Sequence, residues 1–306
     1  MSLLSSSPEY SAVERRQYLQ KVSKDRFGRR QWYSRAYITG ASALLLVCVL
    51  PLFSIISQAL SNGWQFISWK FLTTPAAIPN LMDKNAVGGI VTPLEGSLTV
   101  VGCALIISVP IAVLLAMGLF EYRNRFMNWL EISLSTFIGL PSILFGLFIY
   151  AIIFNVKLGY AGIAGSAALA LMMIPLMTIQ SLDALRAVPT TLREAGVALG
   201  LGRFSIMFHI LLPGARARIF TGVFLALARS AGETAPVLFV IGMANSASLS
   251  PFSQQTTLTT FVYQLLQSPF PSQRNECWAI GLVLITIVLV FNILGRIVLA
   301  RANRIK

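Results

Sequence analysis

Acidic side chains, histidine and cysteine are all scarce in this chain, and each shortage closes off a class of function. Asp and Glu together number 11 in 306 residues, and no paired aspartates lie inside an apolar run. A single histidine, His209, excludes a multi-histidine metal site. Three cysteines, Cys48, Cys103 and Cys277, make no disulfide framework, and the first two sit in apolar runs where cysteine packs as a small hydrophobe. No G-x4-G-K-[ST] phosphate loop occurs, so any ATP hydrolysis is supplied by another chain. There is no H-E-x-x-H and no serine–histidine constellation. Gly200-Leu201-Gly202-Arg203 is no dinucleotide fingerprint, because no strand precedes it.

What is abundant is apolar surface. Hydrophobic residues make up 56% of the chain and charged residues 11%, with a mean hydropathy of +0.73. A soluble domain has too little interior to bury so much, so lipid is the solvent. The formal charge of +13 could suggest nucleic acid, but the basic residues sit in alternate connections between apolar runs rather than on one face.

Six runs are long enough to span a bilayer, near 36–60, 96–120, 132–154, 161–182, 219–242 and 278–299. Each holds about 20 residues or more, enough for a hydrocarbon core of roughly 30 Å at 1.5 Å per residue. The fold class is therefore an all-α, polytopic membrane protein of six transmembrane helices. Residues 1–35 form a basic tail, too long for a secretory signal, and Trp32, Tyr33 and Tyr37 make an aromatic belt at the start of a retained first span. Residues 61–95 are an external loop, 96–299 the membrane core with a polar connection at 186–213, and 300–306 a basic end. Nineteen of the 24 Lys and Arg fall in the N-terminal tail, the 121–131 turn, the 183–218 loop and the C-terminal end counted from Arg296. The opposite loops hold Lys70, Lys84, Lys157 and Arg274. That asymmetry predicts both termini and the 183–218 loop on the cytoplasmic side. Pro110, Pro141, Pro175 and Pro236 each remove a backbone donor and favour kinks, and Gly139, Gly146, Gly162 and Gly165 allow close packing.

Within the polar connection 186–213, Thr190 or Thr191 can cap a short helix with Glu194 near its positive end, and Gly200 and Gly202 stop it. Leu192, Ala195 and Leu199 share one face, and small residues at 195, 196 and 198 let a partner approach closely. Two or three turns of helix are marginal alone, so this one needs a surface to pack on. His209 is read as an interface residue. In the fifth run, Arg229 and Glu233 stand at i and i+4 on one helical face and neutralise each other. They can form a structural pair, or Arg229 can present its planar fork to a transient oxyanion while Glu233 holds or releases it. Thr234 adjoins them, and these three are the candidate path residues.

The connection reads E-A-G-x3-G-x9-I-x-L-P through Glu194, Ala195, Gly196, Gly200, Ile210, Leu212 and Pro213. It resembles the coupling loop of type I ABC importer permeases, E-A-A-x3-G-x9-I-x-L-P, with Gly196 in place of the third alanine. Glycine costs a helix interior about 0.8–1.0 kcal/mol relative to alanine, which predicts a helix leaning on its partner. G-E-T-A-P-x-L-F at 232–239, G-L-P-S-I-L-F-G-L-F at 139–148 and G-G-I at 88–90 are similar to the PstA-type subunits of phosphate-specific importers, and Ala235-Pro236 separates them from the PstC type. The resemblance covers about 88–295. It implies a MetI-like permease of the bacterial inner membrane, without cofactor or metal, that is not itself an enzyme. It also implies pairing with a PstC-type permease, two ATPase subunits docked on Arg193, Glu194 and the motif residues, and an extracytoplasmic phosphate-binding protein. ATP-driven closure would bring the coupling helices together and turn the bundles from inward-open to outward-open. A permease for another oxyanion or small solute, an autonomous carrier or channel, and a membrane enzyme are the competing readings. A carrier would show inverted repeats and more intramembrane polar sites; no repeat is evident here.

Overall fold

The computed structural model describes residues 12–76, 88–122, 124–157, 159–244, 246 and 248–303, every one of its regular elements being helical. In order these are α1 (Ala12–Gly63), a 3-10 turn (Trp64–Phe66), α2 (Trp69–Thr73), α3 (Val91–Glu121), α4 (Arg125–Ile138), α5 (Ile143–Val156) and α6 (Gly162–Arg186). They continue with α7 (Thr190–Ala198), α8 (Arg203–Ile206), a π turn (Met207–Leu211), α9 (Leu212–Ala231), α10 (Ala235–Leu238), α11 (Leu258–Leu266) and α12 (Pro271–Asn303). The chain divides into two units, Met1–Ser57 and Gln58–Lys306. In the first, α1 exposes Leu44, Leu45, Val47, Leu50 and Phe53 around its circumference, as expected of a helix surrounded by acyl chains.

The second unit is built around α6, the most buried of the long apolar helices, which packs against α3, α4, α5 and α9. Its partner α3 carries Val100, Ala104, Ser108, Ala112 and Ala116 at every fourth position, all wholly buried. That spacing draws one stripe along the helix, and α6 answers it with Gly165, Ala168, Met172 and Met173. Lipid tails are as apolar as leucine, so close van der Waals approach across small side chains, not exclusion of water, is what joins these helices. Ser108, the polar member of the stripe, donates to the Leu105 carbonyl and lies 3.6 Å from the Met177 sulfur.

Five helices are long and apolar enough to cross a membrane, and the pair α4–α5 makes a sixth span if its halves are taken together. Two expected spans need correction. The run 132–154 is not one helix: it breaks between Ile138 and Ile143 and bends by 103°. Pro141 has no N–H to give, disfavours helical backbone at Leu140, and opens a new turn by accepting from the Leu144 N–H. The run 219–242 is displaced toward the N-terminus. Helix continues from Arg203 through the π turn to Ala231, where Gly232 ends it and Pro236 starts a separate turn. Arg216 and Arg218 are both exposed at the start of α9, so the helix carries their charges outside the packed interior.

Candidate functional site

Two regions of the second unit carry the residues singled out above. In the connection after α6, α7 begins at Thr190 with Pro189 as its N-cap, and no side chain caps it. The expected capping by Thr190 or Thr191 is therefore replaced: Pro189, with φ −56° and ψ 133°, makes the turn by itself, and Glu194 falls beyond the first turn. The other end is as expected. Gly200 takes φ +73°, its N–H bonds the Val197 carbonyl at 2.9 Å, and Leu201 N–H bonds the Gly196 carbonyl at 3.1 Å. Those two bonds are a Schellman closure, which needs a residue free to adopt left-handed backbone.

The motif residues part into two sets. Glu194, Ala195, Leu192 and Leu199 are exposed, Leu199 by 79%. Gly196 instead is buried against the chain's own Ile206 and Ile210; an added Cβ would stand 2.9 Å from Ile210 Cδ1. Here the expectation that position 196 faces a partner is corrected, since the missing side chain makes room for α8 and the π turn. Ile210 and Leu212 are half-buried in the same apolar cluster, with Leu182, Leu185, Met207 and Leu211. Pro213 is exposed and follows the π turn, whose wider backbone separates the proline ring from the carbonyls of the preceding turn. His209 is exposed, its Nδ1 within 3.1 Å of the Ser205 carbonyl.

Arg193 turns inward. Its Nη2 reaches both Glu121 oxygens at 3.2 and 3.3 Å, its guanidinium lies 5.8 Å from the Phe120 ring centre, and Arg203 Nε stands 3.7 Å from the same carboxylate. Glu121 closes α3, at the negative end of the helix dipole, and the two arginines offset that placement. Nearby, Arg186 holds Glu131 of α4 through two parallel bonds of 2.8 Å. Neither glutamate stood out in the sequence: each reads as an ordinary interfacial charge, and Arg193 is 72 residues from Glu121.

At the second region, Arg229 and Glu233 do not share a helical face. The helix ends at Ala231, and the pair spans its C-terminus with Nε to Oε1 at 3.7 Å. That is an ion pair too long for a hydrogen bond. The Arg229 side chain is 44% exposed and its guanidinium, among the described residues, makes no hydrogen bond; Glu233 and Thr234 are half-buried. The Thr259 hydroxyl donates to the Glu233 carbonyl at 2.9 Å, and Leu238 N–H closes on Thr234. The two breaks adjoin: Gly146 of α5 lies against the main chain of Pro236 in α10, leaving no space for a Cβ. Close by, Tyr150, Tyr160, Tyr263, Thr260, Gln264 and Gln267 help line a cavity of about 620 Å³. No cluster of three potential metal ligands exists among the described residues.

A bundle of lipid-length helices with two expected spans broken and a structured polar connection between α6 and α9 has the build of a transport permease. Residues 108–304 match the family of binding-protein-dependent transport system inner membrane components. The phosphate transport system permease protein PstA of Haemophilus influenzae is 35% identical over 265 residues, covering 86% of this chain and 90% of that protein. Its Pasteurella multocida counterpart is 36% identical over 69% of this chain and 76% of its own length, and a probable PstA from Methanocaldococcus jannaschii 30% identical over 83% and 88%. Among solved structures, the inward-facing MetNI methionine ABC transporter matches with a TM-score of 0.57 at 16% identity, covering 70% of this chain and 95% of that one. A bacterial alginate ABC transporter matches at 0.58 and 12%, covering 87% and 93%. These last two likenesses concern the fold. The chain belongs to the binding-protein-dependent transport system inner membrane component family.

Proposed function

We propose that this chain is the PstA-type permease subunit of an ATP-driven importer of inorganic phosphate. It lies in a bacterial inner membrane with both termini and the α7 loop on the cytoplasmic side, as the nineteen basic residues on that face favour. It forms half of the path with a PstC-type permease, rests on a pair of ATPase subunits, and receives phosphate from an extracytoplasmic binding protein. The exposed face of α7, with Glu194 and Ala195 outward and Gly196 locked inward, is the surface an ATPase grips. Arg229 is the residue that meets phosphate. A guanidinium with unsatisfied donors, held at a helix break and balanced only by a 3.7 Å ion pair, can exchange Glu233 for a tetrahedral oxyanion without breaking a hydrogen bond.

The single observation that carries the substrate is the extended identity to phosphate permeases on both sides of that break. No chemistry is performed by this subunit; the ATPase supplies the work. In vesicles reconstituted with all partners, labelled phosphate should accumulate only with ATP inside the ATPase compartment, and the ATPase should co-purify with this chain. Accumulation by this chain alone, without nucleotide, would refute the proposal. Transport of sulfate or molybdate in preference to phosphate would keep the permease and overturn its substrate.

A further inference from the structure

The loop gripped by the ATPase is joined covalently to α6 on one side and α9 on the other, and neither connection reaches α3. Glu121 does. The last residue of α3 holds Arg193 on α7 and Arg203 at the start of α8, the two arms that flank the Gly200 turn. Its side chain is 13% exposed, while the arginines that meet it are open, Arg193 by 44% and Arg203 by 80%. From there α3 runs unbroken through Pro110 for 31 residues, about 46 Å at 1.5 Å per residue.

The far end of α3 is joined as tightly. Gly96 lies against the Thr256 carbonyl with no room for a Cβ, and the Ser97 hydroxyl accepts from the Leu258 N–H at 2.8 Å. Leu258 begins α11 inside a buried cluster in which Thr257, Thr259 and Thr260 bond one another at 3.0 Å. Thr259 then donates to the carbonyl of Glu233. A continuous line of main-chain and hydroxyl contacts therefore links the coupling loop to the helix break where Arg229 stands.

We infer that Glu121 is a positioning residue for transport: by clasping Arg193 and Arg203 it makes α3 a strut that carries the motion of α7 to the Thr257–Thr260 cluster and sets Glu233 relative to Arg229. This rests on the ATPase-driven reading above. Without the clasp, α7 still docks, but its displacement reaches α3 only through apolar packing on α6 and the 206–211 turn, and the break at Gly232 is reset out of step with ATP hydrolysis.

The test uses the complete reconstituted complex and three readouts: ATPase co-purification, ATP turnover, and phosphate moved per ATP hydrolysed. Glu121→Gln should keep the ATPase bound and hydrolysing at near the parental rate while phosphate per ATP falls about tenfold. The exchange Glu121→Arg with Arg193→Glu and Arg203→Glu should recover at least half of that ratio. An unchanged ratio in Glu121→Gln overturns the proposal, as does loss of the ATPase from the complex, which would make Glu121 a support for docking. If Glu121→Gln fails to insert, the exchange variant decides: transport in it supports the clasp, and an inserted but uncoupled or uninserted exchange variant overturns it. A parental complex with no ATPase attached would instead refute the functional reading itself.

Discussion

Replacing Arg229 by glutamine removes the one basic charge in the run 219–242 and leaves a shorter, neutral side chain that can still hydrogen-bond. The guanidinium lies 3.7 Å from Glu233 and is 44% exposed, so its attraction for a phosphate oxygen is screened well below the buried limit. Two unit charges 4 Å apart interact by about 4 kcal/mol at an effective dielectric of 20, and partial exposure brings this nearer to 2 kcal/mol, consistent with the ~1.5–3 kcal/mol of a charged hydrogen bond. At about 1.4 kcal/mol per decade, uptake from sub-saturating phosphate should fall roughly 30-fold. Arg229→Lys, which keeps the charge but not the planar fork, should fall between the two. The assay is initial uptake of labelled phosphate into vesicles holding the full complex, with the amount of assembled complex measured in parallel. Glu233→Gln provides the contrast. If the pair were only structural, the two single variants would lose assembly to a similar degree and uptake per assembled complex would stay constant. Unchanged uptake per complex in Arg229→Gln would refute the role of this side chain in the path.

Glu194→Lys reverses the only charge on the exposed face of α7 and should release the ATPase from the purified complex while the chain still inserts, read by affinity pull-down from membranes. Gly196→Ala should be close to neutral for docking and thermal stability. The roughly 0.8–1.0 kcal/mol gained in helix propensity offsets a shift of a few tenths of an ångström in the tips of Ile206 and Ile210, and a melting point lowered by many degrees would contradict that balance. Gly96→Ala should be far worse, because its Cβ meets the Thr256 main chain rather than a movable side chain; detergent-solubilised protein should lose its monodisperse gel-filtration peak.

Much of this architecture was open to reading from the residues, and the failures share a cause. Hydropathy located the long helices because the lipid-facing surfaces of α1, α3 and α12 need nothing but apolar side chains. The end of α7 was legible because Gly200 is a local device: one residue in left-handed backbone closes the turn whatever surrounds it. Hydropathy sums side chains, however, and says nothing of backbone continuity. Gly139 and Pro141 interrupt the hydrogen-bond ladder inside an otherwise apolar run, and Gly232 and Pro236 do the same on either side of Glu233 and Thr234. Arg229 and Glu233 were found as a pair, but the i, i+4 rule presumed a helix that has already ended. Gly196 was misplaced for another reason, since which side of a short amphipathic helix faces inward depends on Ile206 and Ile210 folding back over it. The Glu121 clasp was out of reach altogether, because a contact between residues 72 apart leaves no periodicity.

Gly146 and Pro236 touch main chain to main chain, with no side chain as cushion between the two interrupted spans. Bare peptide has no alternative rotamer with which to absorb a displacement, so a shear at one discontinuity must be met by the other as a rigid slip. The cavity close by can therefore change calibre only as α5 and α10 move together.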